Sequence, residues 1–138
     1  DGLPVWAECG GLMYLSRRMH WRGRSAPMVG VLPCEVAMSE RPAGHGYVEL
    51  EETGKGPWPQ EGRRLRGHEF HHSRVIGLDK DKPFSYRTLR RKGTAAAGDG
   101  LMTANCIATY THLHHDGAPF WAREFVAAIR RVKKNRNS

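Results

Sequence analysis

The sequence lacks the features of a membrane-spanning protein and those of a small protein stabilised by disulfide bonds. No apolar run in its 138 residues approaches the roughly 20 residues that a helix needs to cross a membrane, so we expect no membrane partner. Cys9, Cys34 and Cys106 are its only cysteines, and none forms a CxxC pair. Three widely spaced cysteines exclude a disulfide framework and are typical of a reducing cytoplasm with one reactive thiol.

The sequence also lacks a nucleic-acid-binding motif, although it is strongly basic. It has 22 Lys and Arg against 14 Asp and Glu, for a formal net charge of +8. A positive field attracts anions in general, including phosphates and polycarboxylates. The basic residues are scattered and not interleaved with a row of aromatics, so we expect no nucleic-acid partner.

Cys9 occupies a position typical of a catalytic nucleophile. A short apolar run ends at Glu8 and an apolar helical pattern begins at Gly11, so Cys9 is predicted at a sharp strand-to-helix turn. Such a turn exposes the nucleophile and tolerates only small neighbours, here Ala7 and Gly11. We expect the N-terminus of the following helix to favour the thiolate. The alternative is a Cys that is merely buried at a strand end.

Hydrophobic patterning divides the rest of the chain into strands, loops and helices. It predicts strands at 3–8, 28–38 (broken at Pro33), 46–52, 84–89 and 101–110. It predicts helices at 11–20 and 119–132, loops at 39–45 and 54–62, and a turn at 94–100. This order indicates an α/β sheet whose later strands are partly antiparallel, with ligands at the carboxyl ends of its strands.

A nucleophilic thiol needs a base, and two histidine-rich segments offer one. They are Gly67-His68-Glu69-Phe70-His71-His72-Ser73 and Tyr110-Thr111-His112-Leu113-His114-His115-Asp116. His112 follows the last predicted strand and is our candidate base. Three residues are candidates for orienting its ring, namely His114, Asp116 and Glu69. Glu8 is expected to brace the elbow.

The same histidines could instead hold a metal ion. A catalytic zinc needs three protein ligands and an open position. The sequence has no HExxH helix and no Cys/His finger spacing, and Gly67 argues against a helix that would align His68 with His72. We therefore expect no metal in this chain, and keep a metal-dependent hydrolase as an alternative.

Three motifs in order resemble the glutamine amidotransferase domain of the cobyrinic acid a,c-diamide synthase family. They are Ala7-Glu8-Cys9-Gly10-Gly11-Leu12-Met13-Tyr14-Leu15, Gly67-His68-Glu69-Phe70-His71 and Ala108-Thr109-Tyr110-Thr111-His112-Leu113-His114. The segment Met28-Val29-Gly30-Val31-Leu32-Pro33 and the pair Gly46-Tyr47 also resemble that family. The similarity covers nearly the whole chain.

The resemblance implies a class I (triad-type, flavodoxin-like) amidotransferase fold, a mixed sheet with flanking helices. It implies that Cys9 attacks the side-chain amide of glutamine, releases ammonia and leaves a glutamyl thioester, with His112 as base. His114 stands where the family's usual triad carboxylate would stand. Glu69, His71 and Ser73 are expected to contact glutamine, with Glu69 meeting its ammonium group, or to build the wall of its pocket.

The resemblance also implies a second domain. In the full enzymes a P-loop synthetase domain uses ATP and Mg²⁺ to activate the a and c acetate side chains of cobyrinic acid or a related tetrapyrrole. This sequence has no GxxxxGK[ST] and starts at Asp1. We therefore expect residues 1–138 to be a C-terminal glutaminase domain without its first strands, either part of such an enzyme or a stand-alone relative. Its cofactors, ATP and Mg²⁺, would bind in the absent domain. The sequence leaves open whether the chain forms a homodimer.

Stabilising the tetrahedral oxyanion requires two N–H donors. Gly10 N–H, just after the nucleophile, is the first candidate, and the second normally lies in a glycine-rich loop earlier in the sheet. We expect the 138-residue chain alone to hydrolyse glutamine poorly, since losing one donor typically lowers the rate by about 10²–10³. A non-catalytic docking domain of amidotransferase fold is the remaining alternative.

Overall fold

The first strand turns directly into a short helix. The computed structural model describes residues 2–79, 81–91 and 98–136. Strand β1 spans Val5–Glu8 and helix α1 spans Gly10–Leu15. The predicted first strand is confirmed, but the helix predicted over 11–20 is too long. Ser16 adopts an extended conformation, and its hydroxyl donates a hydrogen bond of 2.7 Å to the Met13 carbonyl, which ends α1.

The residues that follow α1 form a hairpin instead of continuing the helix. Strand β2 spans Arg18–Trp21 and strand β3 spans Arg24–Pro27, paired antiparallel. Arg22 and Gly23 connect them with φ of 48° and 71°. Two successive residues with positive φ suit a tight hairpin whose twist matches its strands.

Seven strands form the large sheet, in the order β1-β10-β9-β8-β5-β6-β11. The further members are β5 (Gly44–Glu52), β6 (Arg64–His71), β8 (Phe84–Arg91), β9 (Gly98–Thr103), β10 (Cys106–Thr109) and β11 (His112–Leu113). β1 and β10 pair in parallel, whereas the other neighbouring pairs are antiparallel. The mixed α/β sheet predicted from the sequence is therefore present.

A smaller sheet of four strands has the order β3-β2-β4-β7, with β4 at Glu35–Met38 and β7 at Ser73–Ile76. Only His72 separates β6 from β7, so the chain passes from the large sheet to the small one at this residue. The histidine motif therefore spans the junction of the two sheets.

Several predicted boundaries differ from the structure. The strand predicted over 101–110 is a hairpin of β9 and β10, turned at Ala104 with φ 45°. Of the strand predicted at 28–38 only Glu35–Met38 is extended, and the loop predicted at 39–45 ends earlier because Gly44 begins β5. Of the turn predicted at 94–100, positions 98–100 belong to β9, and 94–97 lie outside the described residues.

Helix α2 (Trp121–Arg136) covers one face of the large sheet, close to the helix predicted at 119–132. Trp121 packs on Trp6 of β1 with ring centroids 5.7 Å apart. Arg63 donates two hydrogen bonds of 2.5 Å to the Glu124 carboxylate in the first turn of α2. Among the described residues, no helix is both long and apolar enough to cross a membrane.

Candidate active site

Cys9 is the residue at which β1 becomes α1, and its backbone is strained there. Its φ of 47° and ψ of −97° are unusual for a residue with a side chain. The Cys9 N–H donates to the Thr109 carbonyl of β10 at 2.7 Å, and the Cys9 carbonyl accepts the first helical bond from Met13 at 3.1 Å. Both sides of the turn are thus anchored, which holds Cys9 in this conformation.

Small residues on either side allow this turn. A Cβ added to Gly11 would lie 3.2 Å from the Ala7 Cβ, a tight contact that a larger pair could not accommodate. The predicted nucleophile elbow, with Ala7 and Gly11 as its small residues, is confirmed in its backbone geometry. Gly10 is exposed immediately after Cys9, and its role as an oxyanion donor stays a prediction.

The thiol of Cys9 is half-buried, and its environment favours the neutral form. Burial raises the pKa of the Cys9 thiol above its ordinary value of 9.0, the Gly10 N–H lowers it, and the charges of Glu69 and Glu8 raise it. The net pKa shift is upward, so the expected preference for thiolate at the helix N-terminus is outweighed. α1 has only six residues, so the effect of its dipole on the thiol is small. The charges of Glu69 and Glu8 and the burial of the sulfur act in the opposite direction. Activation of this thiol therefore requires a base.

His112 lies in β11, and its imidazole contacts the residue that precedes Cys9. Its Nδ1 lies 3.3 Å from Oε2 of Glu8, the residue that precedes Cys9. Because an ionised carboxylate only accepts hydrogen bonds, Nδ1 carries the hydrogen and Nε2 of the neutral ring is an acceptor. The Glu8 contact thus brings the candidate base to the residue next to the candidate nucleophile.

His114 and Asp116, two of the three candidates for orienting His112, lie elsewhere. The side chain of His114 is 81% exposed, and its Nδ1 lies 3.5 Å from Oδ2 of Asp116 and accepts from the Asp116 N–H at 3.3 Å. The carboxylate that contacts His112 is Glu8, which was expected only to brace the elbow. It does brace the chain, since it also accepts from Trp6 Nε1 at 2.9 Å.

Alternation along β6 separates the first histidine motif into two faces. His68 and Phe70 are exposed, whereas Glu69 and His71 are buried, and Ser73 is buried at the start of β7. The motif is therefore extended, not helical, and its adjacent histidines point to opposite sides. The Phe70 carbonyl of this motif contacts Cys9, since its oxygen accepts from Cys9 Sγ at 3.9 Å.

The three residues expected to contact glutamine belong to a buried polar network. His71 stacks on Tyr110 with ring centroids 3.8 Å apart, and its Nδ1–H donates to the Ser73 carbonyl at 2.8 Å. The Ser73 hydroxyl lies 2.8 Å from the Tyr110 hydroxyl. Glu69 Oε2 lies 3.8 Å from Nε2 of His71, and its other oxygen is 3.3 Å from the Thr111 hydroxyl.

Asp99, which lies in β9 next to β10, also belongs to this network. Its carboxylate accepts from the Thr111 hydroxyl at 2.6 Å and from the backbone N–H groups of Thr111 and Tyr110 at 3.0 and 3.1 Å. Burial in a low dielectric makes such bonds strong and makes their loss costly. The network thus fixes the backbone that leads from β10 to His112.

Glu69, His71 and Ser73 line a cavity of about 480 Å³ that also includes Asp99 and Tyr110. Cys9 is not among its lining residues, so a direct contact of these three side chains with glutamine stays a prediction. A second, open groove follows the exposed face near His112, and its lining includes Tyr47, Arg66, His68, Arg90 and His112.

The arrangement of the histidines and carboxylates also decides whether they could bind a metal ion. Across residues 2–79, 81–91 and 98–136, no group of three or more His, Cys, Asp or Glu side chains is arranged to hold a metal ion. The alternation of β6 explains why His68 and His71 do not converge on one point.

Comparisons with known proteins agree with this geometry. Residues 1–120 match the family model described as CobB/CobQ-like glutamine amidotransferase domain. The chain is 42% identical over 121 residues to cobyrinate a,c-diamide synthase of Magnetococcus marinus, a match that covers 88% of this chain and 26% of the relative. It is 38% identical over 125 residues to the enzyme of that name from Methanothermobacter thermautotrophicus, covering 91% of this chain and 27% of the relative.

Solved structures resemble the fold at low sequence identity. A putative GMP synthase protein from Thermoplasma acidophilum matches with a TM-score of 0.66 at 14% identity, covering 100% of this chain and 63% of that chain. A structure described as glutamine amidotransferase matches with a TM-score of 0.62 at 18% identity, covering 92% of this chain and 61% of that chain.

The chain spans about a quarter of the length of the curated relatives it matches. The resemblance inferred from the three motifs is confirmed, as is the class I amidotransferase-like α/β fold. The chain belongs to the CobB/CobQ-like glutamine amidotransferase domain family.

Proposed function

We propose that this chain hydrolyses glutamine at Cys9 to supply ammonia for the amidation of a tetrapyrrole carboxylate. The observation that carries the proposal is the strained elbow at Cys9, next to a carboxylate that holds His112. A thiol on a strand-to-helix elbow and an oriented imidazole are two of the parts that acyl transfer from an amide uses, as nucleophile and base.

The first half of the reaction would form the thioester. His112 Nε2 accepts the thiol proton, and the Cys9 sulfur attacks the side-chain carbonyl carbon of glutamine. Gly10 N–H donates to the resulting oxyanion. When the tetrahedral intermediate collapses, the C–N bond breaks, and His112 returns the proton to the leaving ammonia.

The second half would regenerate the enzyme. Water, deprotonated by His112, attacks the glutamyl thioester, and the C–S bond breaks to release glutamate. The thiolate recovers its proton from His112. Glutamine and water are thus converted to glutamate and ammonia, with no net change in Cys9 or His112.

The acceptor is proposed from the relatives. Both relatives described above carry the name cobyrinate a,c-diamide synthase, which indicates the a and c carboxylates of cobyrinate or a related tetrapyrrole as acceptors. Activating a carboxylate for amidation would use ATP and Mg²⁺ in a separate synthetase domain. We assign no nucleotide site to this chain, because its sequence has no phosphate-binding loop pattern. A cytoplasmic location is part of the same proposal.

The test compares two nitrogen sources in the full-length protein. We expect Cys9→Ser to abolish ammonia release from glutamine and glutamine-dependent amidation of cobyrinate, but to keep amidation supported by ammonium chloride. His112→Ala should slow ammonia release by about 10²–10⁴-fold, the usual contribution of general acid–base catalysis.

Two results would contradict the proposal. Undiminished ammonia release by Cys9→Ser would exclude Cys9 as the nucleophile. Loss of ammonia release from the wild-type protein after treatment with a chelator, in the absence of ATP, would favour the metal-dependent alternative.

A further inference from the structure

Glu8 uses both of its carboxylate oxygens, on partners from two parts of the chain. Oε1 accepts from Trp6 Nε1 at 2.9 Å and from the Leu113 N–H at 3.1 Å. Oε2 lies 3.3 Å from Nδ1 of His112. The carboxylate therefore binds both the backbone of β11 and the imidazole that β11 carries, with its own orientation fixed from β1.

These contacts place Glu8 where an orienting acid is needed. A carboxylate at Nδ1 keeps the ring in the tautomer that leaves Nε2 free to take a proton, and it stabilises the imidazolium that forms next. The Leu113 contact removes freedom from the β11 backbone as well, so ring and strand are positioned together.

The competing carboxylates are occupied elsewhere. Asp116 pairs with His114 at the exposed end of the segment, where solvent surrounds both side chains. Glu69 is 1% exposed and interacts with His71 and Thr111 on the buried face of β6.

Register explains why Glu8 reaches His112 across 104 positions of sequence. β1 and β10 run parallel with Glu8 opposite Thr109, so both chains emerge at the same edge of the sheet. The chain leaving β10 then docks on β6, where His112 is opposite His68. The nucleophile and the group that orients its base are consecutive residues, so their spacing is set by one peptide bond.

We infer that Glu8 is the third member of this active site, a positioning residue that orients His112 and stabilises its protonated form. The inference rests on the proposed function of Cys9 and His112. It assigns to a residue inside the elbow motif the role that the family resemblance implies for the position two residues after the histidine.

The test measures the rate at which 6-diazo-5-oxo-L-norleucine, a glutamine-analogue electrophile, inactivates the full-length protein as a function of pH. Glu8→Gln keeps the shape of the side chain and removes its charge. We expect it to slow inactivation by about 10²-fold or more. Its pH profile should also differ from that of the wild-type protein, because the Gln amide cannot orient and stabilise the imidazole at Nδ1 as a carboxylate does.

Chemical rescue separates positioning from a purely structural role. In Glu8→Ala, added formate should restore part of the inactivation rate by occupying the vacated carboxylate position, whereas it should restore none in His112→Ala. Glu35→Gln is the matched control, because Glu35 also pairs with a histidine, His20 at 2.5 Å, but in the small sheet. This control should keep the wild-type rate and pH profile.

The outcomes distinguish the two proposals. If the wild-type protein is not inactivated at Cys9, the proposed function fails. If it is inactivated, but Glu8→Gln reacts at the wild-type rate with an unchanged pH profile, the role of Glu8 is overturned. A larger loss in His114→Ala than in a folded Glu8→Gln protein would also overturn it and assign the orienting role to His114.

Discussion

At the residue scale, the surroundings of Cys9, the proposed nucleophile, strain its backbone and raise the pKa of its thiol. Its backbone is held at positive φ between the Thr109 carbonyl and the first turn of α1, which presents the sulfur beside the Phe70 carbonyl. Partial burial and the charges of Glu69 and Glu8 keep the thiol protonated. In the proposed mechanism, His112 therefore has to remove the thiol proton when an amide is bound.

The raised pKa gives a pH prediction. In His112→Ala, alkylation of Cys9 by iodoacetamide should rise about tenfold per pH unit, because only the thiolate reacts. Since burial shifts the titration upward, this rise should continue beyond pH 9.0. Quantifying the Cys9 peptide by mass spectrometry measures the rate, and a plateau near neutral pH would show that the thiolate is stabilised instead.

At the element scale, the site depends on the docking of β11 on β6. Leu113 is opposite Gly67 in this pair. A Cβ added to Gly67 would collide with Thr111 Cγ2 and lie 2.7 Å from the His112 carbonyl oxygen. Glycine is therefore required at position 67, because any side chain there would keep β11, which carries His112, from approaching β6 this closely.

We expect Gly67→Ala to displace β11, lowering stability by about 1–3 kcal/mol as other overpacking substitutions do. Its glutaminase activity should fall further than the folded fraction, since His112 moves with the strand. Urea denaturation and ammonia release measure the two effects. Adding Thr111→Ser removes the methyl group in the collision but keeps the hydroxyl bound to Asp99, so it should recover part of the loss. Full activity in Gly67→Ala would contradict the role of this close approach.

Local patterns explain which elements the sequence could predict. The elbow depends on small residues within two positions of Cys9, and the strand predicted at 46–52 alternates in polarity, so both are visible in short windows. The alternation of burial along β6 was not recognised in its polar, histidine-rich sequence. The β2–β3 hairpin was missed because Leu12, Met13, Leu15 and Met19 have helical spacing, whereas the turn depends on the backbone of Arg22 and Gly23.

At the scale of the whole molecule, the active site is assembled by sheet topology. The contact between Glu8 and His112 requires the parallel pairing of β1 with β10 and the return of the chain onto β6. No local pattern encodes that contact, which is why the sequence leaves the orienting residue open among His114, Asp116 and Glu69. A carboxylate within the otherwise apolar run before Cys9 was the one available signal.

The charge of the chain belongs to the same scale. A net charge of +8 suits an acceptor with many carboxylates, and Arg66 and Arg90 line the open groove that also contains His112. Tyr47 and His68 add exposed rings to this groove, with ring centroids 5.7 Å apart. Glu49 and Asp116 line the groove as well, and Glu49 lies 3.3 Å from Nε of Arg66. The exposed face beside the candidate base therefore has aromatic rings and charges of both signs.

The most direct test is to locate the covalent adduct that 6-diazo-5-oxo-L-norleucine leaves on the full-length protein, by peptide mapping with mass spectrometry. The account predicts one adduct, on Cys9, that is prevented by excess glutamine and absent from Cys9→Ser. Cys34 and Cys106, which are 1% and 4% exposed, should stay unmodified. An adduct on another residue, or none in a protein that releases ammonia from glutamine, would contradict Cys9 as the nucleophile.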